Sequence, residues 1–319
     1  MPKVLITHEV PHEHLMPLHG VAEIVQGPPP YDMMDRASVL DLASELHGII
    51  NQTELRVDAE LLDAAPQLKI VANVAIGTDN LALDLMAERG IWATNTPEAP
   101  VESTADFTLA MLLALVRRIP VLDRYVRTGD WETDGFQPGR WDGVLLSGKT
   151  LGIIGYGRIG RGVARRARAF GMNVVVFDPM ATSDPEYRPL EELLPQSDVV
   201  SMHVPLVDST LHLMNAERFA TMKPGALFLN MARGKVVDES ALVAALQSGH
   251  VAGAGLDVFE LEPKVHSDLL AMDQVLLSPH VGGGTNESKL AARMLCAENI
   301  AVVLDGKSPL TPVNSPKLT

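Results

Sequence analysis

The stretch Leu151-Gly-Ile-Ile-Gly-Tyr-Gly-Arg-Ile-Gly160 constrains this chain more than any other. An apolar run, Thr150 to Ile154, breaks into Gly155-x-Gly157-x-x-Gly160. A helical stretch follows, Arg161 to Phe170, and a second apolar run, Asn173 to Phe177, ends at Asp178. Each glycine has its own physical task. Gly155 permits a tight turn, Gly157 lets backbone approach a pyrophosphate, and Gly160 lets helix and strand pack closely. The helix then begins with free N–H groups and the positive end of its dipole. A glycine triplet alone is a weak signal. Here strand, turn, helix, strand and acid follow one another. Asp178 stands 23 residues after Gly155, where a carboxylate accepts hydrogen bonds from an adenosine ribose. The combination predicts dinucleotide binding.

The 319 residues suffice for two domains, at ~150 residues each. Hydrophobic residues make up 46% and charged residues 21%, the balance of an ordinary soluble globular protein. A net charge of −14 disfavours nucleic acid and anionic membrane surfaces as partners, yet leaves room for a local basic pocket. Cys296 is the single cysteine, so no intrachain disulfide can form. Met1-Pro-Lys-Val-Leu-Ile leads into a strand without an apolar signal segment. Both features point to the cytoplasm. The longest apolar-rich run, Phe107 to Val116, is too short to span a bilayer. No metal ligand set is expected.

Residues 3 to 95 alternate short strands and helices. The strands fall at 4–6, 21–25, 47–50, 68–72 and 91–94. The helices fall at 11–19, 35–44, 58–64 and 80–89, the last capped by Asp79 or Asn80, and 27–30 is a loop. Such alternation implies a parallel sheet covered by helices on both faces. No dinucleotide fingerprint occurs here. Its most informative piece is Ala72-Asn-Val-Ala-Ile-Gly77-Thr-Asp-Asn80, whose backbone N–H groups could bind a carboxylate or merely form a turn. Thr96-Pro-Glu-Ala-Pro100 marks a domain crossover. An apolar helix follows at 101–117, then a second at 120–128. The segment 129–148, with Trp131, Phe136 and Trp141, is read as irregular. An arm across a subunit interface would explain it, and so would packing on its own domain.

In an open α/β sheet, ligands sit beyond the carboxyl ends of the strands. By that rule Gly155–Gly160, Asp178, His203–Leu206, Arg233, Asp257, Glu262 and His280 share one edge. Hydride transfer to a ketone needs a group that holds a carboxylate and polarises the carbonyl, which Arg does by bidentate hydrogen bonding. It also needs a proton donor for the alkoxide, for which His is suited. A Glu beside that His favours the imidazolium and fixes the ring. His203 is a competing base, nearer the expected cofactor than the substrate.

The glycine turn with Asp178, Asn230-Met-Ala-Arg-Gly234, Asp257-Val-Phe-Glu-Leu-Glu-Pro263 and Ser278-Pro-His-Val-Gly-Gly283 together resemble the D-isomer-specific 2-hydroxyacid dehydrogenases over almost the whole chain. The resemblance implies two doubly wound parallel-sheet domains with a cleft between them. One is a discontinuous, flavodoxin-like substrate domain, 1–99 and 286–319. The other is a Rossmann domain, 100–285. It implies NAD(P)-dependent reduction of a 2-keto acid to the D-2-hydroxy acid. Arg233 would bind carboxylate and ketone, and His280 would be the acid/base, with Glu262 as its partner. Val74, Ala75, Ile76 and Gly77 would bind substrate. Thr104, Arg158, Ile159, His203, Pro205, Met231, Ala232, Asp257 and Gly282 would join the glycine turn in holding the cofactor. A homodimer built through the nucleotide domain is implied as well. Within the family the chain is most similar to the glyoxylate/hydroxypyruvate reductases, on Gly148-Lys-Thr-Leu-Gly152 and 161–172. The segment from Phe136 to Trp141 also resembles phosphite dehydrogenase, and transcriptional corepressors that share the fold illustrate a non-enzymatic NAD-sensing alternative. Asp178 followed by Pro179-Met180-Ala181 repels a 2′-phosphate, which favours NAD and leaves NADP as the second choice.

Overall fold

Short apolar runs separated by helices build two sheets in which every strand is parallel to its neighbours. The computed structural model describes residues 1–29 and 32–316. Pro30, at the end of the expected loop, and residues 317–319 lie outside the described residues. The chain divides into two units, Met1–Pro100 with Gly284–Thr319, and Val101–Gly283.

The first unit runs β1 (Lys3–Ile6), a 3₁₀ helix (His12–Leu18), β2 (Glu23–Gln26), α1 (Arg36–Ala43), β3 (Leu46–Asn51), α2 (Ala59–Ala64), β4 (Ile70–Asn73), α3 (Leu83–Glu88) and β5 (Trp92–Thr94). The strand order β2-β1-β3-β4-β5 is the flavodoxin-like one. Asp35 and Asp58 cap α1 and α2 through their side chains. The expected cap at Asp79 or Asn80 is corrected. Helix α3 begins at Leu83, and its N-cap Ala82 offers no side chain. Asn80 is instead tied to Asn73, whose amide donates to Asn80 Oδ1 at 2.8 Å. The region 11–19 is a 3₁₀ turn rather than an α-helix, with Pro17 inside it.

The second unit opens with α4 (Val101–Val116), α5 (Ile119–Arg127) and α6 (Asp130–Asp134). Helix α6 corrects the reading of 129–148 as irregular throughout. In the same segment Trp141 packs on its own unit, 4.9 Å from the Tyr125 ring and beneath the Arg140 guanidinium at 4.6 Å. Phe136 stays 85% exposed. Then come β6 (Thr150–Ile154), α7 (Arg158–Ala169), β7 (Asn173–Phe177), α8 (Leu190–Gln196), β8 (Val199–Met202), α9 (Ala216–Thr221), β9 (Ala226–Asn230), α10 (Glu239–Gln247), β10 (Val251–Leu256), α11 (Ser267–Leu270) and β11 (Val275–Leu277). The chain then returns to the first unit as α12 (Asn286–Leu304).

The second sheet has the order β11-β10-β9-β8-β6-β7. A single parallel bridge, Val176 to Tyr187, sits beyond β7, where the third strand of a Rossmann sheet belongs. Strand order therefore reverses at β6, which puts the switch point beside the glycine turn. Both faces are covered. Leu109, Leu112, Val163 and Ala167 from α4 and α7 fill one side, and Leu193, Phe219, Leu242 and Leu246 from α8, α9 and α10 the other. The first unit has the same two-sided plan. On one face of its sheet, α12 lays Ala292, Cys296, Ala297 and Ile300 against Val4, Ile6, Ile50 and Ile70. No helix among the described residues is long and apolar enough to cross a membrane.

Phe228 is fully buried and meets Phe219 edge-on, with ring centroids 5.2 Å apart. Phe228→Ala should destabilise the second unit by about 3–5 kcal/mol, read as an earlier unfolding transition in denaturant titrations.

Candidate active site

The glycine turn has the shape its sequence demands. Gly155 sits at φ 96°, a left-handed conformation that side chains resist, and a Cβ there would lie 2.6 Å from the His203 carbonyl. A Cβ on Gly160 would collide with the Gly155 carbonyl oxygen. Around Gly157 a Cβ would meet open space, and α7 starts there with no side chain capping it. An uncapped helix start facing open space fits a pyrophosphate. Asp178 lies across from the turn. One carboxylate oxygen accepts the Tyr156 N–H at 2.8 Å and the other the Met180 N–H at 2.8 Å. The acid therefore anchors the turn as well as lying beside it.

His203 follows β8. Its Nε2 bonds Ser201 Oγ at 2.8 Å, and its Nδ1 is buried without a partner. Burial pushes this imidazole down to about 3, so it stays neutral at ordinary pH. A ring held neutral in this way is a weak proton acceptor. Pro205 is exposed nearby, and its carbonyl accepts from Thr210 Oγ1 at 2.6 Å. Thr104 is buried on α4, and Arg158 and Ile159 form the first turn of α7.

Arg233 follows β9 by way of buried Met231 and Ala232. The Asn230 amide fixes this corner, donating to the Arg233 carbonyl at 2.9 Å and accepting from the Ala232 N–H at 3.0 Å. Gly234 is pressed so closely onto the Phe259–Glu260 peptide that a Cβ would overlap it. Beyond β10, Glu262 accepts the Phe259 N–H on one oxygen and meets His280 Nδ1 on the other, both at 2.9 Å. That leaves His280 Nε2 for a ligand. Burial works to raise the Glu262 carboxyl. The hydrogen bonds from His280 and Phe259, with the charges of His280 and Arg233, outweigh it and hold the group below the ordinary carboxylate value. The three side chains therefore influence one another.

His280 adopts φ 54°, a left-handed conformation uncommon outside glycine. Asp257 holds it there. Its carboxylate accepts from Ser278 Oγ at 2.7 Å and from the Val281 and Gly282 N–H groups at 2.8 Å. Its carbonyl takes the His280 N–H at 2.8 Å. Sequence reasoning missed Asn230 and Ser278, although both stand at strand ends, the position that picked out the rest.

In the first unit, the loop after β4 spends its carbonyls internally. Ala75 O accepts from Thr96 N, Ile76 O from the Asn95 amide, and Gly77 O from the Asn73 amide. The N–H groups of Ala75, Ile76 and Gly77 bond no acceptor among the described residues. This suits an anion.

A family model described as D-isomer specific 2-hydroxyacid dehydrogenase, NAD binding domain, matches residues 109–282. The chain belongs to this family. It is accordingly an NAD(P)-dependent oxidoreductase. Glyoxylate reductase of Thermococcus onnurineus is 40% identical over 321 residues, covering 98% of this chain and 96% of that protein. The TT0316 protein of Thermus thermophilus superposes with a TM-score of 0.91 at 40% identity, covering 98% of this chain and 99% of that one. An NADPH-dependent glyoxylate/hydroxypyruvate reductase of Sinorhizobium meliloti, in complex with NADP and malonate, gives 0.87 at 34%, covering 99% and 98%.

His203 also sets a pH dependence of stability. Its folded value of about 3 lies below the ordinary 6.5, so between the two the unfolded chain binds a proton that the folded chain refuses. Stability from this residue is full above the ordinary value and is lost as pH falls, with a limiting slope of about 1.4 kcal/mol per pH unit. The drop in Tm between about pH 7 and about pH 4.5 should therefore be smaller in His203→Gln than in the wild type.

Proposed function

We propose that this chain reduces small 2-keto acids such as glyoxylate and hydroxypyruvate to D-2-hydroxy acids, with NADH as the preferred reductant. One observation carries the reading. Loops beyond β9, β10 and β11 bring a guanidinium, a carboxylate and an imidazole together, and the imidazole is bound through Nδ1 alone. We assign residues 100–285 to the cofactor and residues 1–99 with 286–319 to the substrate.

Bound NAD(P)H supplies the hydride. Arg233 holds the substrate carboxylate and polarises its ketone. In the first unit, the open N–H groups of Ala75, Ile76 and Gly77, beside Val74, are suited to a substrate carboxylate. His280 holds a proton on Nε2 and gives it to the developing alkoxide. Glu262, kept ionised, orients the ring and offsets its charge while that proton is present. In the oxidative direction the same nitrogen takes the proton back. The Gly155–Gly160 turn cradles the pyrophosphate, and Asp178 takes the ribose hydroxyls with its remaining lone pairs. We place Thr104, Arg158, Ile159, His203, Pro205, Met231, Ala232, Asp257 and Gly282 along the rest of the cofactor.

The Thermococcus relative supports glyoxylate as substrate. The Sinorhizobium neighbour is described as NADPH-dependent, whereas here the acid Asp178 is followed by the uncharged Pro179, Met180 and Ala181. A homodimer formed by the second unit is part of this reading. It is supported by α5, which buries none of its residues, and by exposed Trp131, Phe136 and Leu145. The cytoplasm is the assigned compartment.

His280→Ala should lower kcat for glyoxylate by roughly 10²–10⁴-fold, and Glu262→Gln by a smaller factor. Wild-type turnover by His280→Ala would sink the assignment. In steady-state assays kcat/KM should favour NADH over NADPH by roughly tenfold or more, and Asp178→Ser should narrow that ratio.

A further inference from the structure

A second concentration of charge lies in the first unit, and the proposed reaction leaves it unused. Lys289 and Arg293 stand four residues apart on α12, and so on one helix face. Arg293 donates to His14 Nδ1 at 3.2 Å, His8 Nε2 at 3.0 Å and Gln52 Oε1 at 3.4 Å. All three acceptors are neutral. Neither cation is ion-paired with a carboxylate among the described residues. Glu54 accepts from Thr7 Oγ1 at 2.5 Å, and its charge reaches Lys289 without direct contact. Burial, then the charges of Arg293 and Lys289, pushes His8 down to about 4. Burial also pushes Lys289 down, aided by Arg293 and opposed by Glu54.

The bonding pattern assigns the His8 tautomer. Its Nε2 accepts from Arg293, so its Nδ1 carries the proton. That Nδ1–H is buried without an acceptor, as are Arg293 Nε and Gln52 Nε2. Buried donors without acceptors are costly and uncommon in native proteins. These three donors, one of them on the Arg293 guanidinium itself, together with Lys289 form the complement of an oxyanion.

The location indicates which oxyanion. The carbonyl of Asn51, the residue before Gln52, accepts the Val74 N–H at 2.8 Å. The cluster therefore adjoins the Val74–Gly77 loop at the carboxyl end of neighbouring strands β3 and β4. A keto acid held on that loop by its carboxylate has its other end free. We propose that His8, Gln52, Lys289 and Arg293 form an anion subsite through which the chain also takes 2-keto acids bearing a second acidic group. The subsite rests on the reading of the chain as a keto-acid reductase.

The test compares substrates that differ by one carboxylate: oxaloacetate against pyruvate, and 2-ketoglutarate against 2-ketobutyrate. The ratio of kcat/KM within each pair is independent of the amount of folded enzyme. In the wild type at least one ratio should favour the dicarboxylate by roughly tenfold or more. It should fall by a similar factor in Lys289→Met and recover in Lys289→Arg. Ratios near one in the wild type, or a ratio untouched by Lys289→Met, overturn the subsite. If no keto acid is reduced with NADH or NADPH, the reductase reading fails, and inorganic phosphate then tests the subsite alone. Phosphate should raise the Tm of the wild type and of Arg233→Gln, but not of Lys289→Met. No rise in the wild type, or an equal rise in Lys289→Met, overturns it.

Discussion

Asp257 is 3% exposed, yet it carries a carboxylate into the interior of the second unit. Such a group survives there because its oxygens are met by the Ser278 hydroxyl and by two successive N–H groups, those of Val281 and Gly282. The segment it gathers is the one that carries His280, in a backbone conformation that a lone loop would not hold. The His280–Glu262 pair then closes the gap between two loops of the same sheet edge. Breaking the pair would leave one oxygen of a half-buried carboxylate without its partner, so ring position and charge balance are secured together.

A similar economy governs the turn at Gly155. Asp178 uses one oxygen to hold the Tyr156 N–H and the other to hold its own downstream loop. The residue that would meet a ribose is therefore rigid before any ligand arrives, which lowers the ordering cost of binding.

Much of this was legible in residue order. The glycine triplet, the acid 23 residues on, and Arg233, Glu262 and His280 at strand ends all follow from one rule about where open sheets bind ligands. The left-handed backbone at His280 was not legible, because it depends on Asp257, distant in sequence, rather than on local propensity. Asn80 was read as a helix cap because Asn commonly caps, but Asn73 and the Leu55 carbonyl claim its amide. Helix α6 was hidden by flanking Gly129 and Gly135, which read as loop residues and serve here as the helix ends. The cation cluster on α12 could not be foreseen either. Its partners, His8 and Gln52, come from the far end of the chain.

That last separation bears on how the protein is made. The sheet face formed by Val4, Ile6, Ile50 and Ile70 is closed by Ala292, Cys296 and Ile300 of α12, and Val313 and Asn314 bond β5 near the chain's end. Residues 101–283 are synthesised in between. At typical elongation rates the apolar face waits roughly ten to forty seconds for its cover. The second unit can complete its own core in that interval, so the unit that starts first on the ribosome finishes last.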